Sequence, residues 1–319
     1  MTAPGREAGA PADPDGSADP AAPADPDGLV PLAAGAVARL VALDAGRGAT
    51  AAVAAVREAL RPLPQLSAAP HTLRGLGPDP LAALAELAEV IGWILFDAGR
   101  YRRAHRMNAR ALALAALCGD RWTARLTLLN HSMLATHTGH PRAALDAAAR
   151  VAGPRPLPAR VAGLVLIRRA HATALLGADR EPLRLIARAQ SRFLDGISPR
   201  DPHWAWWIDQ TELLGHQGWV HARLRRWDRA IPLLYEAATA PGPSYRHLFT
   251  AELLAAYAGA GAWREAEELI GRIAPRAAAI GSVRTTETLA ATAAGLHHRR
   301  GAPASLRDAA VHLRESLPA

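Results

Sequence analysis

Lysine is absent from this 319-residue chain, and cysteine occurs once, at Cys118. The 37 residues of the lysine-plus-arginine count are therefore all arginine, the codon signature of a GC-rich bacterial genome. Arginine stays charged far above neutral pH. The net charge of +8 and the pI near 10.9 accordingly fit a solvated basic surface set by genome composition, and do not by themselves argue for nucleic-acid binding. A lone cysteine excludes an intramolecular disulfide and a cysteine-based zinc centre. Aromatic residues make up only 5% of the chain, and β-branched residues never form the alternating runs that strands need. No apolar segment opens the chain in the manner of a signal peptide. The most apolar stretch, residues 81–96, is interrupted by Glu86 and Glu89, so neither secretion nor membrane spanning is expected and a cytoplasmic location is. Nucleophile elbow, phosphate loop, dinucleotide fingerprint and zinc signature are all missing, so the sequence predicts no enzyme, no metal and no cofactor.

What the chain has in quantity is alanine and leucine at helical spacing, which predicts an all-α fold. Residues 1–28 set one arginine, Arg6, against Glu7 and the aspartates 13, 15, 19, 25 and 27, with no large apolar residue before Leu29. They read as a disordered acidic tail, because such a segment cannot bury enough apolar surface to offset its ordering entropy. Residues 29–61 predict an N-terminal helical hairpin, Leu32 to Leu43 and Thr50 to Leu60, turned at Gly46-Arg47-Gly48. Residues 62–80 form a Pro/Gly-rich connector that reads as a hinge. Residues 81–319 predict a helical repeat array.

The array is marked by a cassette of turn residue, aromatic and alanine: Gly99-Tyr101-Ala104, Arg225-Trp227-Ala230 and Gly261-Trp263-Ala266. Partial copies stand at Gly139-Pro141-Ala144, Gly177 and Gly301-Pro303, so successive turns fall about 36 to 48 residues apart, the period of stacked helix pairs. A small residue, Gly92, Ser132 or Gly218, lies seven positions before three of these turns. It predicts a close approach of the paired helices, with the aromatic filling the hairpin tip.

This pattern resembles tetratricopeptide repeats, best in Tyr257, Gly261, Trp263, Ala266 and Pro275. The resemblance implies a right-handed superhelical TPR-like solenoid of antiparallel helix pairs. Residues 85–99 (Ala-Glu-Leu-Ala-Glu-Val-Ile-Gly-Trp, then Phe96-Asp97-Ala98-Gly99) and 204–216 (Trp-Ala-Trp-Trp-Ile-Asp, then Glu212-Leu213 and His216) look like the C-terminal sensor halves of XRE-type helix-turn-helix transcriptional regulators of high-GC Gram-positive bacteria. The likeness covers about residues 36 to 300. In those regulators a helix-turn-helix precedes the array. Residues 1–28 offer no counterpart to it, so direct DNA binding is not expected.

Asp209, Glu212 and His216, spaced i, i+3 and i+7, fall on one face of a helix expected to begin at Trp204, with Trp206 and Trp207 one turn ahead. Two carboxylates and an imidazole beside tryptophan can hold a metal or orient a ligand. They can equally pair with arginines of neighbouring helices and fix repeat geometry. Glu86, Glu89 and Trp93 repeat the pattern on an earlier inner-type helix, and Asn130 adds an amide on the next. Arginines 100, 102, 103, 106 and 110, and 223, 225, 226 and 229, read as solvated rims of two hairpin tips. Taken with these residues, the resemblance to those regulators implies a non-enzymatic regulatory protein, acting in transcriptional regulation, whose solenoid binds a peptide, a small signal or a partner protein, with no membrane association. A passive assembly scaffold, or nucleic-acid binding through the arginine rims, are the alternatives. The sequence does not set the oligomeric state.

Overall fold

Five of the seven helical hairpins, and one junction between pairs, turn where one residue adopts a left-handed backbone and the next amide reaches back five residues. Gly99, Gly119, Gly139, Gly177 and Gly261 all have φ between 71° and 79°. The amides of Arg100, Asp120, His140, Ala178 and Ala262 donate to the carbonyls of Leu95, Ala115, Ala135, Thr173 and Tyr257 at 2.7–3.1 Å. This is the glycine-terminated helix cap, which satisfies carbonyls that the helix end leaves orphaned. At the remaining full cassette the left-handed residue is Arg225, at φ 55°, and Arg226 N donates to His221 O at 3.0 Å. A side chain in that conformation carries strain of about 1–2 kcal/mol. Arg225 is exposed, so Arg225→Gly should raise the unfolding free energy by about 1 kcal/mol, measured by urea denaturation. A lower stability for the glycine variant would contradict this reading of the turn.

The computed structural model describes residues 26–318, so the expected acidic tail lies almost wholly outside the described residues. Among those described, every regular element is a helix. The N-terminal hairpin is α1 (Pro26–Arg47) and α2 (Ala49–Leu60), separated by Gly48 alone. Then come α3 (Pro78–Asp97) with α4 (Tyr101–Cys118), and α5 (Arg121–His137) with α6 (Pro141–Ala149). The next pair is α7 (Ala159–Leu175) with α8 (Glu181–Leu194). They are followed by α9 (Gln210–Arg223) with α10 (Trp227–Thr239), α11 (His247–Ala260) with α12 (Trp263–Ile273), and α13 (Val283–His297) with α14 (Ala304–Ser316). The odd-numbered helices from α3 to α13 each pack on the next odd-numbered helix, which makes a continuous row of first helices.

The small residues fall where the paired helices touch. A Cβ at Gly92 would lie 2.3 Å from Asn108 Oδ1 on α4, and one at Gly218 would lie 2.7 Å from Leu234 Cγ on α10. Ser132 instead donates to Ala144 O on α6 at 2.8 Å. The cassette aromatics do more than fill their own tips, where Trp263 lies 3.5 Å from the position of a Cβ on Gly261 and Tyr101 packs beside Phe96. Tyr101 reaches His137 at the end of α5, at 2.9 Å. Trp227 packs where a Cβ on Gly259 of α11 would sit, and Arg299, beyond α13, lies over Trp263. Each aromatic thus grips the tip of the following pair, about one repeat away.

Two expectations about the N-terminal part are revised. The connector does not hang free: Leu63, Leu66 and Leu73 are buried in one core with Leu29, Leu40, Leu84 and Phe96, and Arg110 donates to Gln65 O. Burying each leucine contributes about 1.5–3 kcal/mol, which fixes the segment against α3 and α4. Among the described residues, the helix that is long and apolar enough to cross a membrane is residues 28–47 of α1, with a mean hydropathy of 1.6, rather than residues 81–96. α1 packs on α3, while its Leu32 and Val41 stay exposed.

The first and last pairs of the array meet. Asp97 at the end of α3 is fully buried, and it accepts from Arg284 Nε at 2.7 Å and from Ser282 Oγ at 2.9 Å. The Arg284 guanidinium lies over Phe96, 4.5 Å from the ring centre, and donates to Met133 Sδ of α5. Thr50 N at the start of α2 donates to Gly281 O at 2.9 Å. Both the hairpin and the array therefore close on the segment that opens α13.

Candidate functional site

Glu86, Glu89 and Trp93 occupy one face of α3, as their spacing requires, and that face looks into a cavity of about 470 Å³. Asn130 of α5 stands opposite and donates Nδ2 to Glu89 Oε1. Helix α1 crosses the cavity with Val37, Ala38, Val41 and Ala42, and brings Asp44 to its end. Two short 3₁₀ turns complete the wall. His203–Trp207 carries Trp204, Trp206 and Trp207, and Ser244–Arg246 carries Tyr245.

Hydrogen bonds tie these pieces together across large sequence distances. Trp93 Nε1 donates to Asp44 Oδ2 at 3.2 Å, and Ser244 Oγ donates to the Asp44 carbonyl at 2.6 Å. His203 Nε2 lies 3.2 Å from Glu86 Oε1, which fastens the tryptophan turn to α3. Arg168 of α7, 2% exposed, forms part of the floor. Burial pushes the Glu89 carboxyl up to about 8, helped by neighbouring Glu86 and opposed by Asn130. Burial likewise lifts Asp44 to about 7, with Asp97 adding to the rise and Trp93 and Arg284 resisting it. Desolvation lowers Arg168 to about 9.

Of the residues singled out from the sequence, Glu89, Trp93, Asn130, Trp206 and Trp207 share this cavity. Asp209, Glu212 and His216 do not line it. The helix expected from Trp204 is broken at Ile208, and Asp209 is the N-cap of α9, its Oδ1 accepting from Glu212 N at 3.0 Å. Arg246 bridges the two carboxylates, with Nη2 2.6 Å from Asp209 Oδ2 and Nε 3.2 Å from Glu212 Oε1. Burial pushes Glu212 up to about 7 against the pull of Arg246. His216 Nδ1 lies 3.0 Å from His171 Nε2, and its Nε2 lies 3.4 Å from Arg168 Nη1. Both imidazoles are held well below their ordinary range, chiefly by burial, so they are neutral. The network then assigns the His216 proton to Nδ1 and leaves Nε2 to accept from Arg168. This cluster joins α7, α9 and the turn before α11 behind the cavity wall.

The sequence reading did not single out Asp44, Arg168 or Tyr245, and it named Trp204 only as the start of a helix and of the regulator-like segment. Asp44 carried a usable signal, as the one acid between Gly28 and Arg47, a stretch whose only other charged residue is Arg39. The arginine rims divide. Arg110 and Arg223 are partly buried, the latter over Trp219, while the other members of both groups are exposed. Three buried polar atoms on the cavity residues have no partner among the described residues: Asp44 Oδ1, Arg168 Nε and Trp204 Nε1. The cavity is thus a mostly apolar, aromatic-walled enclosure with a few convergent polar groups, the form of a small-molecule site. No protein-family model and no curated protein matches this chain, so the reading of the site rests on its own geometry.

Proposed function

We propose that this protein is a non-enzymatic regulatory protein that senses a small ligand held in the cavity between α1, α3, α5 and the two 3₁₀ turns. The observation that carries this reading is the aromatic-walled cavity of about 470 Å³ with unpartnered, buried polar atoms on its lining residues. Unpaired buried polar groups cost free energy, and a ligand that pairs them recovers it. The cassette period, the left-handed helix caps and the close contacts at Gly92, Ser132 and Gly218 support a TPR-like solenoid of antiparallel pairs. A ligand held between α1 and the row of first helices touches the N-terminal hairpin and the array together. Occupancy can then be passed on as a change in how tightly the two close.

An uncharged solvatochromic dye, Nile red, tests for the site. It should bind at one saturable site and quench tryptophan emission, since four of the eight tryptophans line the cavity. Ala42→Trp fills the cavity from the α1 side and should abolish that binding while leaving helical circular dichroism unchanged. Undiminished dye binding in this variant would overturn the proposal.

A further inference from the structure

The ionisable side chains of the cavity are mostly acidic. Asp44 comes from α1 and Glu86 and Glu89 from α3, whereas the basic side chains are Arg168 on the floor and His203, which already faces Glu86. In a chain with net charge +8, an acidic enclosure is the opposite of what composition supplies. Tryptophan and tyrosine faces surround these carboxyls, and such faces attract cations through the ring quadrupole.

Hydrogen bonding narrows the ligand further. Asp44 Oδ2 is occupied by Trp93, but Asp44 Oδ1 is buried with no donor among the described residues. It calls for an N–H, which a primary ammonium has and a quaternary ammonium lacks.

Resting on the ligand-sensing reading above, we propose that the cavity selects a small organic amine in its protonated form. Its ammonium faces Asp44 and Glu89, and its apolar body lies against the tryptophans.

The pH dependence follows from the same groups. Glu89 faces Glu86 on its own helix and Asn130 on α5, with Arg168 and His203 on the other cavity walls. Asp44 faces Trp93 and Asp97 on α3, Arg284 on α13 and Tyr245. With burial holding these two carboxyls up to about 8 and about 7, ionising them becomes easier only as pH rises. An aliphatic amine stays protonated to about pH 10. Affinity for the amine should therefore increase between about pH 6.5 and 8.5, while affinity for an uncharged analogue stays flat.

The test uses three probes with one hydrocarbon body: 4-phenylbutylamine, 4-phenylbutanol and 4-phenylbutyrate, titrated calorimetrically against the full chain. The amine should bind about tenfold or more tighter than the alcohol, and the carboxylate weakest of the three. Asp44→Asn and Glu89→Gln should each remove most of the amine's advantage and leave the alcohol unchanged. Glu86→Gln, at a more exposed position, gives a smaller loss in the same direction and serves if a buried variant fails to fold. Carboxylate binding tightest, equal binding of amine and alcohol, or no binding of the three while Nile red still enters, overturns the amine inference alone. Loss of Nile red binding at the same site as well would overturn the ligand-sensing reading with it.

Discussion

Replacing Arg284 with alanine is expected to cost about 3–5 kcal/mol of unfolding free energy. Arg284 is 2% exposed, and its partner Asp97 is fully buried. Removing the guanidinium leaves a carboxylate in the core with Ser282 Oγ as its remaining partner and takes a cation from the faces of Phe96 and Trp93. The loss is large because the pair joins α13 to α3 and α5, so the first and last pairs of the array lose their common contact. The cost should come mostly from the stranded charge rather than from the attraction forfeited. The double variant Asp97→Leu with Arg284→Met should accordingly recover most of the stability. Urea denaturation of the three variants measures both effects. A cost below about 1 kcal/mol for Arg284→Ala would mean that the closure does not depend on this pair.

The second large effect is expected at Arg246, at about 3 kcal/mol for Arg246→Ala. Its guanidinium fastens the N-cap of α9 to the turn before α11 through Asp209 and Glu212, and the same two segments present Trp204, Trp206, Trp207 and Tyr245 to the cavity. The variant should therefore lose amine affinity as well as stability. Arg246→Lys should restore only part of either, because one ammonium cannot reproduce the planar fork that meets two carboxylates. The pH response gives an independent sign. Glu212 is raised in the folded protein to about 7 from an ordinary 4.5, so its share of stability is present at low pH and is lost as pH rises through about 7. Without Arg246, which now lowers it, that loss should move to higher pH. Denaturation profiles of wild type and variant across this range decide the matter, and an unmoved profile would show that Arg246 does not act on Glu212.

The helix pairs were legible in the sequence because two strong local signals agree. Apolar residues recur at helical spacing, and glycine marks the left-handed turn after each first helix from α3 to α7 and at α11. The cavity was legible only in part. Glu89, Trp93 and Asn130 could be placed on helix faces by counting, but nothing local tells which face another segment will cover. That depends on α1 folding back across α3, a contact between residues some fifty positions apart. Asp209 and Glu212 misled for a definite reason. An aspartate followed three residues later by a glutamate is also the mark of a helix start, and Asp209 serves as that cap. Read as a cap, the pair would have broken the helix expected from Trp204 and left Trp206 and Trp207 in a turn, where they are found.

A crystal structure of the full chain grown with saturating 4-phenylbutylamine tests the central claim most directly. The account predicts one molecule enclosed by α1, α3 and the tryptophan turn, with its nitrogen within hydrogen-bonding distance of Asp44 Oδ1 or Glu89 and its ring against Trp93, Trp204 or Trp207. An amine bound elsewhere on the chain, or a cavity filled by rearranged side chains of the protein itself, would contradict it.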